Sequence, residues 1–217
     1  MKIVKISKAF IRTIVLALPL LGMGGLLLAS CSENEETGEY DNWRERNQLY
    51  VDSIAALAND GTDGWSKILG YYLSEETESQ NPNTNHYIYV KKLENGTGAQ
   101  KPMYNDSVRV HYLGRLIPSD SYPQGYVFGK SYGSYVLNEG TDVPTLLSVQ
   151  QNVPGFVTAL MQMVEGDQWK VVIPYYLGYD PDTNTSNSSI PDYSALIFDI
   201  KLVRIYKYQI DTNTTWH

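Results

Sequence analysis

Few side chains in this sequence are placed for bond-making chemistry. Its only cysteine, Cys31, directly follows Leu28-Ala29-Ser30 at the end of an apolar run. An intramolecular disulfide is therefore impossible. The small residues before the thiol are those a signal peptidase reads, so the chemistry expected at this sulfur is acylation. A second candidate is the polar loop Asp180-Pro181-Asp182-Thr183-Asn184-Thr185-Ser186, where oxygen-bearing residues alternate as at the start of a calcium loop. Thr185 stands where such a loop needs its glycine and Pro191 where it needs its closing acid, so we expect a solvated flap and no metal. There is no P-loop, HExxH or CxxC, and no credible triad. His111 falls on the outward side of an alternating strand and is assigned no catalytic role.

The elements that must position any site are legible from periodicity. Val108, Val110 and Tyr112 alternate with Arg109 and His111, and Leu196, Phe198, Ile200 and Leu202 alternate with Asp199 and Lys201, so both segments read as half-buried strands. Between them Pro154 and Gly155 read as a turn. Val157, Leu160, Met161 and Val164 then recur at three- and four-residue steps, predicting a short helix ended by Gly166. Trp169 to Ile173 is a further strand, stopped by Pro174, which has no backbone donor. One helix laid across an antiparallel sheet is an α+β fold.

The N-terminal part reads as a leader, a tether and an extension. Lys2, Lys5, Lys8 and Arg12 precede the apolar run Ile14 to Leu28, so residues 1–30 are expected to be a signal peptide. The sequence up to Cys31 looks like the bacterial lipobox, which would convert the protein from spanning to anchored. Residues 31–41 form an acidic tether. Its Ser32-Glu33-Asn34-Glu35-Glu36 resembles the export signal of surface-displayed outer-membrane lipoproteins, a periplasm-facing anchor being the alternative. Loss of the four leader cations takes the formal charge from −7 to −11, which makes nucleic acid and anionic headgroups poor partners. Residues 42–101 are read as a helical extension with a lead-in strand. Within it Trp43, Leu49, Tyr50, Ile54, Leu57 and Ala58 give a helix over residues 42–59, with Asp41 or Asn42 as its cap. That helix either packs on its own domain or serves as a dimerising arm. Trp65 to Leu73 adds apolar surface, residues 74–85 read as a polar loop, and Tyr87 to Leu93 reads as a strand.

Taken together, Val108 to Leu116 (VRVHYLGRL), Val127 to Ser131 (VFGKS), the run from Asn152 through Tyr179 (NVPGFVTALMQMVEGDQWKVVIPYYLGY) and Ile190 to Leu202 (IPDYSALIFDIKL) resemble the FKBP-type peptidyl-prolyl isomerases. The resemblance covers residues 102–205 and leaves 206–217 as a tail. It implies an antiparallel sheet wrapped over one short helix, and rotation about X-Pro bonds of proline-containing polypeptides. That rotation has an uncatalysed barrier of about 18–20 kcal/mol because amide resonance is lost. No nucleophile, metal or cofactor is needed. A dry aromatic cup favours the less dipolar twisted amide, and each ~1.36 kcal/mol of preference is tenfold in rate.

Carried over residue by residue, the resemblance makes Tyr112, Phe128, Val153, Phe156, Tyr179, Ile190 and Phe198 the catalytic pocket, with Asn152 and Gly129 beside the substrate. The Val153 N–H and the Tyr179 hydroxyl would hold peptide carbonyls, and Phe128, Phe156 and Phe198 would surround the proline ring. The chain also departs from the family pattern. Gly129 stands where an aspartate is usual, Phe156 where tryptophan is usual, and Asn152 where an aliphatic residue is usual. Thr145 and Leu147 occupy a segment that prefers aromatics, and Asp180 replaces a glycine. Two functions are implied: a lipid-anchored folding helper for exported proteins, or a noncatalytic binding module acting as an accessory subunit of an outer-membrane complex.

Overall fold

The structure is a computed structural model and describes residues 38–183, 187 and 189–209. The leader, Cys31 and most of the tether lie outside the described residues, as do Asn184, Thr185 and Ser186 of the polar flap. The elements are α1 (Trp43–Asn59), β1 (Trp65–Leu69), α2 (Glu75–Gln80), β2 (Tyr87–Glu94), β3 (Ser107–Arg115), β4 (Val127–Lys130), β5 (Thr145–Ser148), α3 (Pro154–Leu160), β6 (Gln168–Ile173) and β7 (Leu196–Tyr206).

Among the described residues seven strands form one antiparallel sheet in the order β1-β2-β6-β7-β3-β4, with β5 also paired to β3. β3 and β7 pair along their whole alternating lengths, from Ser107 opposite Tyr206 to Arg115 opposite Ile197, with one bulge near Val110. Because β1 and β2 belong to this sheet, the extension shares a core with the isomerase-like segment. α3 packs on β2 and β6, where a Cβ on Gly155 would lie 2.3 Å from Ile173 Cγ2. Only a glycine lets the helix backbone come that close to the sheet.

Several sequence expectations are corrected by packing. α3 starts at Pro154 and ends at Leu160, so Pro154 and Gly155 are its first turn, not a turn before it. Gly166 lies in the connection to β6, beyond the helix end. Gly155 through Leu160 are all buried, so the helix has no solvent side for its stripe to define. On α1 the buried line is Trp43, Asn47, Val51 and Ala55, while Leu49 stays 62% exposed. Neither candidate cap works as expected: Asn42 has φ 51° and makes no side-chain cap bond, and Asp41 accepts the Gly38 N–H at 2.7 Å. The polar loop holds α2, whose Glu78 bonds His86 Nδ1 at 2.6 Å and accepts the Asn83 N–H at 3.0 Å.

His111 is the clearest correction, because it is 4% exposed rather than outward-facing. The connection between β4 and β5 covers that face of β3, bringing the Tyr132 ring to 6.4 Å from the imidazole. Burial lowers the His111 pKa, and Glu139 and Asp142 oppose this only in part. A lowered folded pKa means the unfolded chain takes up the proton first, so this contribution to stability is present above pH ~6.5 and is lost as pH falls toward the folded pKa. The melting temperature of His111→Phe should therefore drop less between pH 7 and pH 5 than that of the wild type. Equal drops in both proteins would show that His111 does not contribute.

Candidate active site

Tyr112 lies on β3, Phe128 on β4, Phe156 on α3 and Phe198 on β7, so four separate elements deliver one ring each. The Phe128 and Phe156 rings meet Phe198 edge-on at 5.4 and 5.0 Å, and Tyr112 stands 6.4 Å from Phe156 and 6.5 Å from Phe198. Edge-to-face contact of this kind aligns positive ring edges with negative faces and stiffens the set. Gly114 makes room for it. It pairs with Phe198 across β3 and β7, and a Cβ there would lie 2.7 Å from both the Phe128 and Phe198 rings. The rings bound an open cavity of about 420 Å³ in which no lining side chain is charged.

Two hydrogen-bonding groups stand at its edge. Val153 precedes α3 with φ −60° and ψ 147°, and its carbonyl accepts the Phe156 and Val157 N–H groups. Its own N–H has no protein acceptor among the described residues. Tyr179 follows the turn Tyr175–Leu177, and its hydroxyl likewise has no hydrogen-bond partner among the described residues. Burial and the neighbouring Tyr179 raise the pKa of Tyr112, keeping that phenol protonated at neutral pH.

The remaining sequence-named residues have different placements. Asn152 lines the cavity, yet its amide donates to the Ser148 carbonyl at 2.7 Å and the Val149 carbonyl at 3.2 Å, so its donors shape the turn before Val153. Gly129 lines the cavity opposite Gly114, and a Cβ on it would sit 3.4 Å from Tyr112 Cε2 and 3.8 Å from Tyr112 Oη. A side chain would fit there. Ile190 is 6% exposed and is not among the residues that line the cavity; Asn187, whose carbonyl accepts the Ile190 N–H at 3.0 Å, lines it instead. Leu147 and Gln151 complete the wall. Sequence reasoning did not single out Gly114, Gln151 or Asn187. The glycine between the aromatic strand residue Tyr112 and Arg115 was the available signal for Gly114, whereas Gln151 and Asn187 carry no periodic one. Asp180, beside Tyr179, is buried and accepts the Asp182 N–H at 3.1 Å within its own turn.

Residues 98–203 match the FKBP-type peptidyl-prolyl cis-trans isomerase family. This segment is an FKBP-type domain. The chain is 33% identical over 135 residues to an FKBP-type 22 kDa peptidyl-prolyl cis-trans isomerase of Escherichia coli K12, covering 62% of this chain and 58% of that protein. It is 34% identical over 120 residues to a Legionella longbeachae protein named outer membrane protein MIP, covering 55% of this chain and 45% of that one. The chain thus spans about half the length of these two curated relatives. A crystal structure of a peptidyl-prolyl cis-trans isomerase from Pseudomonas syringae superposes with a TM-score of 0.52 at 22% identity, over 77% of this chain and 96% of that one, which supports the fold. The matched segment contains all four rings of the cup, Val153 and Tyr179. It begins after β2, so α1, β1, α2 and β2 are added to the FKBP-type domain from outside the match.

Proposed function

We propose that this protein catalyses cis-trans isomerisation of X-Pro bonds in extracytoplasmic polypeptides while held at the outer membrane by lipid on Cys31. The observation that carries the catalytic reading is the uncharged four-ring cup with, at its edge, a Val153 N–H and a Tyr179 hydroxyl that have no hydrogen-bond partner among the described residues. In the planar amide the C–N bond is partly double. Enclosing the proline between Phe128, Phe156 and Phe198 removes water that solvates the polar ground state, and the two edge donors hold the flanking carbonyls so that only the amide turns. No proton has to move. The test is a proline-isomerisation assay of the purified protein on a leucine-proline peptide. A rate above the uncatalysed background supports the reading, and a rate equal to background removes it.

One observation favours the binding-module reading. Gly129 has no side chain where the family usually places a carboxylate, and that carboxylate would reach Tyr112. A cup that lacks it could still capture proline segments as an accessory subunit of an outer-membrane complex. The aromatic enclosure, which needs no proton transfer, favours catalysis over this alternative.

The anchor rests on Leu28-Ala29-Ser30-Cys31, on the acidic residues that follow it, and on similarity to a protein named for the outer membrane. No helix among the described residues is long and apolar enough to cross a membrane. Cys31→Ser should move the protein from the membrane fraction to the soluble one, or leave an uncleaved precursor. Unchanged fractionation and unchanged processing would refute lipidation. On this reading the protein faces the cell surface, with a periplasm-facing anchor as the other outcome of a surface-protease test.

A further inference from the structure

Tyr193 has φ 61°, in the left-handed region that bulky L residues rarely enter. Something must hold it there. The Arg44 guanidinium of α1 lies 4.2 Å above its ring, and the Tyr175 ring meets it edge-on at 5.1 Å. The next two residues are also fastened to α1. Trp43 Nε1 donates to Ser194 Oγ at 2.8 Å, and the Ala195 N–H donates to Asn47 Oδ1 at 2.8 Å. Asn47 Nδ2 in turn donates to the Trp43 carbonyl at 2.7 Å, which fixes the amide that receives Ala195. Three consecutive residues are therefore gripped by the first turns of one helix, and all three hydrogen bonds are buried.

These residues close the base of the flap that carries Tyr179. Tyr175 opens the turn leading to Gly178 and Tyr179, which line the cup, and Tyr193 to Ala195 return the chain to β7, where Phe198 follows. We propose that α1 is a clamp on this flap, with Arg44, Asn47 and Tyr193 as positioning residues that set where the Tyr179 hydroxyl meets a bound peptide. The proposal rests on the isomerase reading of the cup. α1 lies outside the matched segment 98–203, so this control belongs to the added N-terminal part. A hydrogen-bonding group on a loop is only as well placed as its supporting contacts, and here those contacts come from α1.

The test compares three variants of the full-length protein with wild type, well below their melting temperatures. Arg44→Ala removes an exposed side chain. Tyr193→Gly relieves the left-handed backbone while removing the ring that Arg44 and Tyr175 hold. Leu57→Ala weakens the far end of α1 as a control. For a leucine-proline peptide, Arg44→Ala and Tyr193→Gly should each raise KM and the peptide Kd about 3- to 10-fold, with kcat within about twofold of wild type. Leu57→Ala should lower the melting temperature and leave KM unchanged. An unchanged KM and Kd in both flap variants, or an equal rise in Leu57→Ala, overturns the clamp while the isomerase reading stands. If wild type binds the peptide without turning it over, the isomerase reading falls and the Kd comparison alone decides the clamp. A wild-type protein that neither binds nor turns over the peptide overturns both.

Discussion

Phe128→Ala should lower kcat/KM on a leucine-proline peptide by about 1–3 kcal/mol of transition-state stabilisation, or roughly 5- to 150-fold. Phe128 is only partly buried, but its ring closes the β4 side of the cup against Phe198 at 5.4 Å and 87°. Truncation opens that side to water, which restores solvation to the planar amide and removes part of the preference for the twisted one. Tyr179→Phe should give a loss in the same range by deleting one hydrogen bond while keeping the ring. Gly129→Asp, for which the space beside Tyr112 exists, should raise activity if the missing carboxylate weakens the site. Wild-type kcat/KM in both Phe128→Ala and Tyr179→Phe would show that the cup is not the site of turnover. Capture of a membrane partner that needs Phe128, in a protein with no activity before or after Gly129→Asp, would establish the binding module instead.

Gly155→Ala should destabilise the protein by about 2–3 kcal/mol, although alanine is worth about 1 kcal/mol more than glycine in an exposed helix. The sign reverses because the new methyl would lie 2.3 Å from Ile173 Cγ2 and 3.1 Å from Ile88 Cγ2, on β-branched side chains held inside the sheet. α3 must then lift, and Phe156 lifts with it, so the cup floor opens as the core loosens. For a domain of this size the melting temperature should fall by about 4–12 °C. A higher melting temperature in thermal denaturation would mean that helix propensity outweighs the contact and that the close approach is not tight.

Much of the frame was legible beforehand. Alternation marked β3 and β7, and the strand order and antiparallel pairing agree with the α+β reading drawn from them. The motifs around Tyr112, Phe128, Asn152 to Phe156, Tyr179 and Phe198 named residues that the fold brings to one cavity. Periodicity works in these stretches because each strand has one face on the core, so a single element records its own environment.

The sequence by itself therefore determined strands β2, β3, β6 and β7, a helix beneath the cup and the FKBP-type resemblance of residues 102–205, whereas the acylation expected at Cys31 falls outside the described residues. Tertiary structure alone decided which faces a distant segment covers. His111 alternates outward in β3, yet the connection between β4 and β5 folds over it; Asn47 is polar within α1, yet it is buried because Ala195, 148 residues away, needs an acceptor. α3 ends before its apolar repeat does, because the Leu160 carbonyl accepts the Met163 N–H in a tighter turn and the Val164 N–H donates to Asp167 Oδ2 at 2.8 Å. The same holds at the cup, where Asn187 lines the cavity while Ile190 does not, and where α1 reaches the flap. Local pattern reports the one surface an element presents to its own neighbours, whereas burial by a segment far along the chain depends on how the whole sheet closes.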